Sequence, residues 1–359
     1  MNPLCAIIFA ASLLFSCGQD SVRRTTVSIN GDQFYINGKP TYTNSEWKGN
    51  KIEGLLFNSR MVQGIFDDEN SDTRDRFKYP DTGEWDANRN TDEFVQAMQS
   101  WRDHGMLAFT INMQGGSPMG YGNKGWRNSS FDSKGNLKEV YIKRLEKIIN
   151  KADELGMVVI LGYFYFGQDE YFENEQAVIA AVDNATNWLL DKGYTNVVIE
   201  VANECNNTKY DFDIIKTTRI DELMRQIKAI SNGNLLVATS YNGNTLPTPN
   251  VVKESDFILI HGNGVKEPTR IMEMVSQTKE IEGYKKMPIV FNEDDHFEFE
   301  KDTCNMTAAV MSYASWGYFD FRMDGESYDE GYQSVPVNWA ISSERKKGFF
   351  NKVKEITGY

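Results

Sequence analysis

Short apolar runs and longer amphipathic runs alternate along most of the chain. The short runs are rich in β-branched and aromatic residues and are bounded by polar residues, glycine or proline, which predicts β-strands. We predict eight strands, at residues 41–44, 107–113, 157–166, 197–203, 235–240, 257–261, 288–292 and 318–322.

Amphipathic runs separate these strands and predict helices. The clearest are at residues 138–155, 174–192, 217–231, 269–281, 303–315 and 342–356, with a shorter one after the fifth strand. Eight strand–helix units predict an α/β protein of the (β/α)8 TIM-barrel type. A doubly wound open sheet is the alternative, but it would carry a glycine-rich phosphate loop after an early strand, and the sequence has none. Before the first strand, QFYINGKP at residues 33–40 predicts a short β-hairpin, because alternating apolar residues meet an Asn-Gly turn.

The N-terminal residues predict an export signal. The apolar run at residues 4–15 is too short to cross a bilayer and fits the core of a signal peptide. It ends in Leu14-Phe15-Ser16-Cys17, which resembles a bacterial lipobox, so that Cys17 would carry lipid. We therefore predict a lipoprotein signal at 1–17, a polar tether at 18–30 and a single barrel domain at 31–359. The expected location is the bacterial cell envelope, as an outer-membrane or surface lipoprotein; the alternative is a cleaved signal and a soluble periplasmic or secreted protein.

The composition of the chain limits the kinds of molecule that the protein can bind. The formal net charge of −13 disfavours nucleic acid, and any membrane contact should come through the lipid anchor alone. Aromatic residues make up 13% of the chain, which indicates that some of them line a cleft in addition to those in the core. Cys205 and Cys304 are expected to be free, buried thiols, and three histidines are too few for a histidine-rich zinc site. We expect a monomer that needs no metal or other cofactor.

The catalytic chemistry is predicted at the carboxyl ends of the strands. Two long, aromatic loops, at residues 45–89 and 114–136, follow the first two predicted strands and should wall the barrel mouth. The fourth strand leads into Asn203-Glu204 and the seventh into Asn292-Glu293, and these two ends face each other in a barrel. Two carboxyl groups facing each other are what glycoside hydrolysis requires: one protonates the leaving oxygen and the other attacks the anomeric carbon.

The segment VVIEVANE at residues 197–204 resembles the signature of the barrel hydrolases whose catalytic glutamates follow strands four and seven, of which glycoside hydrolase family five, the cellulase family, is the best known. The hairpin FYINGKP is also similar to the segment that precedes strand one in these enzymes. The resemblance implies a retaining β-glycosidase acting on a glycan or oligosaccharide, with Glu204 as acid/base and Glu293 as nucleophile. It further implies that Asn203 holds the sugar 2-hydroxyl and that His261 lies beside the acid/base. We expect burial and the nearby carboxylate to raise the pKa of Glu204.

The sequence departs from this family at four positions. Cys205 stands where proline usually follows the glutamate, Thr110-Ile111-Asn112 lacks the strand-two arginine, and Asn263 replaces the strand-six tyrosine. The strand-eight tryptophan is replaced in a stretch reading YFDFRMDGE. The candidates to supply the cation are Arg60 and Arg322, and the candidates to supply the hydroxyl are Tyr163, Tyr165 and Tyr241.

These departures leave two function classes open. We predict a glycoside hydrolase, and the alternative is a non-catalytic carbohydrate-binding lipoprotein on a decayed hydrolase barrel. Decay usually removes one of the two catalytic carboxyl groups, and both are present here. Besides Asn203 and His261, we predict substrate contacts from Asn112, Gln114, Tyr165, Tyr241 and Trp47.

Overall fold

The computed structural model describes residues 23–121 and 124–359 and contains a ring of parallel strands. The predicted signal peptide, including Cys17, and the first five residues of the tether lie outside the described residues. The strands of the ring are β1 (Asn58–Arg60), β2 (Ala108–Asn112), β3 (Val158–Tyr165), β4 (Val197–Asn203), β5 (Leu236–Ala238), β6 (Ile258–His261), β7 (Ile289–Glu293) and β8 (Gly317–Tyr318).

The ring is continuous through regular pairing and a few single contacts. Strands β5, β4, β3, β2, β1 and β8 form one sheet in that order, and β6 pairs with β7. Parallel bridges Val290–Ser315 and Asp294–Tyr318 join β7 to β8. Between β5 and β6, the Asp256 amide donates to the Val237 carbonyl at 3.0 Å. The α/β barrel predicted from the alternating runs is therefore confirmed.

Helices follow the strands and cover the outside of the ring. Those in the described ranges are α1 (Ala87–Asp103), α2 (Glu139–Leu155), α3 (Glu175–Asp191), α4 (Ile220–Ser231), α5 (Pro249–Glu254), α6 (Pro268–Lys279), α7 (Asn305–Met311) and α8 (Glu344–Thr357). Short 3-10 turns occupy Arg74–Phe77, Asp169–Tyr171 and Asp213–Ile215. Helix α2 ends where Gly156 adopts a left-handed conformation, as its sequence predicts.

Burial explains why the strands read as continuous apolar runs. Strands β2, β3 and β4 are buried at every position, because side chains point either into the barrel or under the helices. Cys205 and Cys304 are both buried and unpaired, as predicted. No helix in the described part of the chain is long and apolar enough to cross a membrane.

The first strand lies later in the chain than we predicted. Residues 41–44 form a turn in which Tyr42 and Asn44 have φ values of 48° and 61°, which a strand does not allow. The strand is instead Asn58–Arg60, three polar residues buried by their surroundings. The loop that follows β1 therefore begins after Arg60 instead of at residue 45.

The N-terminal boundary also differs. Residues 27–30, which we assigned to the tether, pair antiparallel with Gln33–Ile36 as the outer strand of the hairpin. Just before them, the Thr25 amide donates to the Asp153 carboxylate at 2.8 Å, and Thr195 Oγ1 donates to the Thr25 carbonyl at 2.7 Å. Residues 25–30 therefore belong to the folded domain.

Candidate active site

Glu204 and Glu293 both lie at the carboxyl end of the barrel, Glu204 directly after β4 and Glu293 as the last residue of β7. His261, the last residue of β6, lies between them. Its Nδ1 is 3.3 Å from Glu204 Oε1 and 3.7 Å from Glu293 Oε2. One oxygen of each carboxylate and this imidazole nitrogen all lie within 4.8 Å of one another. The barrel thus brings together the three residues that the pattern at the strand ends had indicated.

Glu204 has an unusual backbone. Its φ is 53°, in the left-handed region, which costs a residue with a side chain about 1 kcal/mol or more. The segment just after strand β5 holds this turn in place, because Ser240 Oγ accepts from the Glu204 amide at 3.0 Å and the Ser240 carbonyl accepts from the Cys205 amide at 2.9 Å. The turn directs the Glu204 carboxylate towards His261 and Asn207, whose Nδ2 donates to Glu204 Oε2 at 3.3 Å.

Arg60 supplies the cation that the strand-two position lacks. Its Nε lies 2.7 Å from Glu293 Oε2, and its Nη1 lies 3.7 Å from Glu200 Oε2 deeper in the barrel. All three side chains are almost fully buried. Arg322, the other candidate, donates instead to the carbonyls of Ser334 and Pro336. Glu204, His261 and Glu293 carry donor atoms that suit a metal ion, but Arg60 already brings a positive charge to Glu293.

Asn263 occupies the place of the strand-six tyrosine and is itself a donor. Its Nδ2 donates to Glu293 Oε1 at 2.9 Å. The three tyrosines that we considered for this role bond elsewhere: Tyr163 to Thr186, Tyr165 to Ser117 and Tyr241 to Thr248. A fourth, Tyr121, lies 2.6 Å from Asn263 Nδ2 through its hydroxyl oxygen.

The proton distribution differs from our expectation. Burial raises the pKa of the Glu293 carboxyl, although Arg60 and His261 oppose the rise. Burial would also raise the pKa of Glu204, but the hydrogen bond and charge of His261 outweigh it, so that the pKa of Glu204 is lowered. The two carboxylates raise the pKa of His261 in spite of its burial. The lowered pKa of Glu204 is the opposite of the raised pKa that we expected, because His261 favours the ionised carboxylate.

Two of the predicted substrate residues have free amide groups near the site. Asn203 Oδ1 is buried without a hydrogen-bond partner among the described residues, and the same holds for both amide atoms of Asn112. Asn112 lies over Gly162 on β3, where an added Cβ would come within 2.1 Å of its Oδ1. A glycine is needed there to leave room for the asparagine. Both asparagines therefore carry buried amide atoms without a protein partner in the described ranges.

The other predicted substrate residues already have hydrogen-bond partners within the protein. Gln114 bridges Ser129 and the Tyr165 amide, which fixes the loop after β2. Tyr241 is buried, and its hydroxyl is paired with Thr248. The structure does not bring Trp47 to the site, because it precedes β1 and its Nε1 donates to Glu355 of α8 at 3.1 Å. Trp47 would lie in the loop after the first strand only if that strand were at residues 41–44, whereas it is Asn58–Arg60.

Comparison with known proteins assigns the family. The sequence model described as Cellulase (glycosyl hydrolase family 5) matches residues 68–260, which is more than half of the chain. The chain belongs to glycosyl hydrolase family 5. This family 5 member is therefore a glycoside hydrolase, and its substrate is a carbohydrate. The matched range includes Glu204 and ends before Glu293. No curated protein matches the chain.

Solved structures share the barrel. A glycoside hydrolase family 5 protein from Bacteroides vulgatus superposes with a TM-score of 0.56 at 14% identity, covering 91% of this chain and 69% of that one. A GH5-4 broad-specificity endoglucanase from Bacteroides salanitronis gives 0.55 at 12%, covering 84% and 93%. A β-mannanase from the blue mussel Mytilus edulis gives 0.53 at 11%, covering 92% and 96%. At these identities the likeness shows the fold.

Proposed function

We propose that this family 5 enzyme is a retaining β-glycosidase in which Glu293 is the nucleophile and Glu204 the acid/base. The separation of the two carboxylates carries the proposal, because one oxygen of each lies within 4.8 Å of the other. Retaining enzymes hold their carboxyl groups about 5–5.5 Å apart, whereas inverting enzymes leave about 6.5–9.5 Å for a water molecule.

The surroundings of each glutamate support the two roles. Glu293 contacts the guanidinium of Arg60 and the amide of Asn263, which favour the ionised form and hold it for attack. Glu204 faces His261 and Asn207 and has the more exposed side chain, 15% against 6%. A more open position suits the group that must reach the leaving oxygen and later a water molecule.

The reaction can be written with the residues present. A proton from His261 passes over the 3.3 Å contact to Glu204 when a bound sugar displaces water from the site. Glu204 then donates that proton to the leaving oxygen as the glycosidic bond breaks, and Glu293 forms a bond to the anomeric carbon. In the second half Glu204 takes a proton from water, the water oxygen attacks the anomeric carbon, and Glu293 leaves; the proton then returns from Glu204 to His261 as the product departs, which restores the starting state.

Asn203 and Asn112 are proposed to bind the sugar hydroxyls, because their buried amide atoms have no partner within the described ranges. Next to Tyr165, which contacts Trp126 and Phe166, lies a cavity of about 310 Å³ whose walls include Trp126, Phe166 and Tyr171. Aromatic walls suit the apolar faces of a pyranose ring. The cavity gives room for a further sugar unit, which favours an oligosaccharide or glycan substrate.

The substrate and the stereochemistry are tested together. The solved structures of an endoglucanase, a β-mannanase and a β-glucosidase that share this fold suggest a panel of aryl β-glycosides, soluble β-glucans and β-mannans. We expect turnover on at least one panel member, with the β-anomer as the first product in the NMR spectrum. An α-anomer as the first product would contradict the retaining assignment. The Glu293→Ala variant is the control for contaminating activity.

We further propose that Cys17 is lipidated and anchors the enzyme to the bacterial envelope. The lipobox-like residues Leu14 to Cys17 support this. A glycan-degrading enzyme has a reason to be at the cell surface, since polymeric substrates do not enter the cell.

A further inference from the structure

We propose that Tyr121 is a positioning residue for Glu293 and acts through Asn263. The hydroxyl that the family otherwise places on strand six is supplied here from the loop after β2, one asparagine further from the carboxylate. This inference rests on the proposed nucleophilic role of Glu293.

A chain of hydrogen bonds connects the four residues involved. Asn263 Nδ2 donates to Glu293 Oε1 at 2.9 Å and to the Tyr121 hydroxyl oxygen at 2.6 Å. The Tyr121 hydroxyl in turn donates to Asp295 Oδ2 at 3.3 Å. The far end is fixed, since Asp295 Oδ1 accepts from the Gly264 amide at 3.1 Å.

Each hydrogen-bond donor in this series of contacts has one acceptor. An amide nitrogen has two hydrogens, and both have acceptors here; the tyrosine hydroxyl accepts one hydrogen bond and donates one. The surroundings of the hydroxyl are buried although the side chain as a whole is exposed, and this burial, with the charges of Glu293 and Asp295, raises the pKa of Tyr121, so the hydroxyl keeps its proton and remains a donor to Asp295. If the hydroxyl were removed, one Nδ2 hydrogen would lose its acceptor. The amide could then rotate and weaken its bond to Glu293.

Two aromatic residues after β8 fix the tyrosine ring. Phe321 contacts it edge-on with ring centroids 5.0 Å apart, and Phe319 contacts it in a tilted arrangement with ring centroids 5.7 Å apart. The ring is nevertheless 58% exposed, unusual for a large apolar group. Exposure at the mouth suggests a second role, as a surface on which a sugar stacks. The test must therefore separate the ring from the hydroxyl.

Two substitutions make that separation. Tyr121→Phe removes only the hydroxyl, and we expect kcat to fall about 10- to 100-fold with KM changed less than about threefold, as for the loss of one bond to a charged group. Tyr121→Ala removes the ring as well. Tyr35→Phe, which removes a hydroxyl bonded to Gln33 on the N-terminal hairpin, is the matched control and should behave as the unmodified enzyme. An unchanged kcat in Tyr121→Phe, or a change in KM alone, would overturn the proposal.

A double-mutant cycle tests the route through Asn263. If Tyr121 acts through Asn263, Tyr121→Phe should have little further effect in an Asn263→Ala background. Effects that multiply would show that the two residues act independently and would overturn the proposal. The loss in Tyr121→Phe should also be similar for aryl glycosides with good and poor leaving groups, because the defect lies at the nucleophile.

A substrate-free measurement completes the test. In carboxyl-labelled enzyme followed by ¹³C NMR, the apparent pKa of Glu293 should rise in Tyr121→Phe and stay constant in Tyr35→Phe, because a weaker donor favours the neutral acid. No rise would count against the inference. The Glu293→Ala variant separates the two levels of the argument: if it stays active, the proposed function fails, whereas an inactive Glu293→Ala with a normal Tyr121→Phe contradicts the role of Tyr121 alone.

Discussion

Arg60 and Glu293 form a buried ion pair at the mouth of the barrel, with Nε 2.7 Å from Oε2. The same guanidinium faces Glu200 at 3.7 Å, so one positive charge is shared between two buried carboxylates. Both partners are nearly fully buried, and the pair is therefore poorly screened by water. This pair couples the stability of the barrel to the ionisation of Glu293.

Replacing Arg60 tests that coupling. Arg60→Met should lower the free energy of unfolding by about 3–5 kcal/mol, because two buried carboxylates lose their cation. It should also reduce kcat/KM at least about 100-fold, because Glu293 would take up a proton. Urea unfolding and steady-state kinetics measure the two effects. Arg60→Lys keeps the positive charge but lacks the paired guanidinium N–H groups, so its stability and kcat/KM should lie between those of the unmodified enzyme and Arg60→Met. A Met variant as active as the unmodified enzyme would contradict the role of Arg60.

Cys205 can be explained by the backbone of Glu204. A proline disfavours helical conformations in the residue before it and has no amide hydrogen. Here Glu204 has a φ of 53°, and the Cys205 amide donates to Ser240. We predict that Cys205→Pro lowers kcat/KM on substrates with poor leaving groups about 10- to 100-fold, because the acid/base is displaced.

The matched control is Cys205→Ala, which keeps the amide hydrogen and should retain most of the activity. Cys205→Pro should be far less impaired on dinitrophenyl glycosides, whose leaving group needs no proton. If both variants lose activity equally on both substrate types, the defect is one of folding or packing at the buried side chain.

The three ionisable residues of the site predict a bell-shaped pH profile. Glu293 must be ionised, and burial raises its pKa, so activity should fall at acidic pH through a value above the ordinary 4.5. His261 supplies a proton, and its pKa is raised, so activity should also fall as the pH rises through a value above 6.5. His261→Gln should lower kcat/KM and remove the alkaline limb. Persistence of that limb would assign it to another group.

The same shift affects stability. Because the folded-state pKa of His261 is raised, its charged form stabilises the fold at pH values below 6.5, and this contribution disappears as the pH rises through the folded-state pKa. The difference in unfolding free energy between the unmodified enzyme and His261→Gln should therefore decrease towards alkaline pH. Urea titrations at a series of pH values measure this difference.

The membrane anchor gives a prediction outside the described residues. Cys17→Ser should prevent lipidation, so that the enzyme no longer partitions with membranes in cell fractionation and does not incorporate a labelled fatty acid. Cys5→Ser is the matched control, because Cys5 lies within the signal segment. Unchanged membrane association of Cys17→Ser would favour an ordinary cleaved signal and a soluble enzyme.

The sequence predicted the parts of the site that depend on local pattern. His261 and Glu293 end their strands and Glu204 directly follows its strand, and a buried strand is easy to recognise from its apolar run. Strand β1 was misplaced because Asn58–Arg60 is polar and short, with no alternation to mark it. Glu200 interrupts the apolar run of β4 and contacts Arg60. A charged residue within a buried strand indicates a partner of opposite charge, and this signal was available in the sequence.

Other contacts depend on where separate loops meet. Tyr121 and Asn263 are 142 positions apart, and only the closed barrel brings them within hydrogen-bonding distance. The pKa of Glu204 likewise depends on the geometry of His261, since burial and a protonated neighbour act in opposite directions. No local pattern contains that balance.

Removing each of the two glutamates in turn tests the roles that we propose for them. Glu293→Ala lacks the nucleophile, so it should be nearly inactive on every substrate. Azide is small enough to occupy the vacated space and should restore turnover, giving a glycosyl azide of inverted configuration.

Glu204→Ala lacks the proton donor, so it should still form the glycosyl-enzyme from dinitrophenyl glycosides, while natural linkages react about 100- to 10,000-fold more slowly. Its glycosyl-enzyme should accumulate because no base activates water, and azide should release it with retained configuration. Glutamine at either position is the isosteric control for loss of packing. Azide products of the opposite configuration in the two variants would show that the roles are exchanged, and full activity in either alanine variant would show that the catalytic carboxylates lie elsewhere.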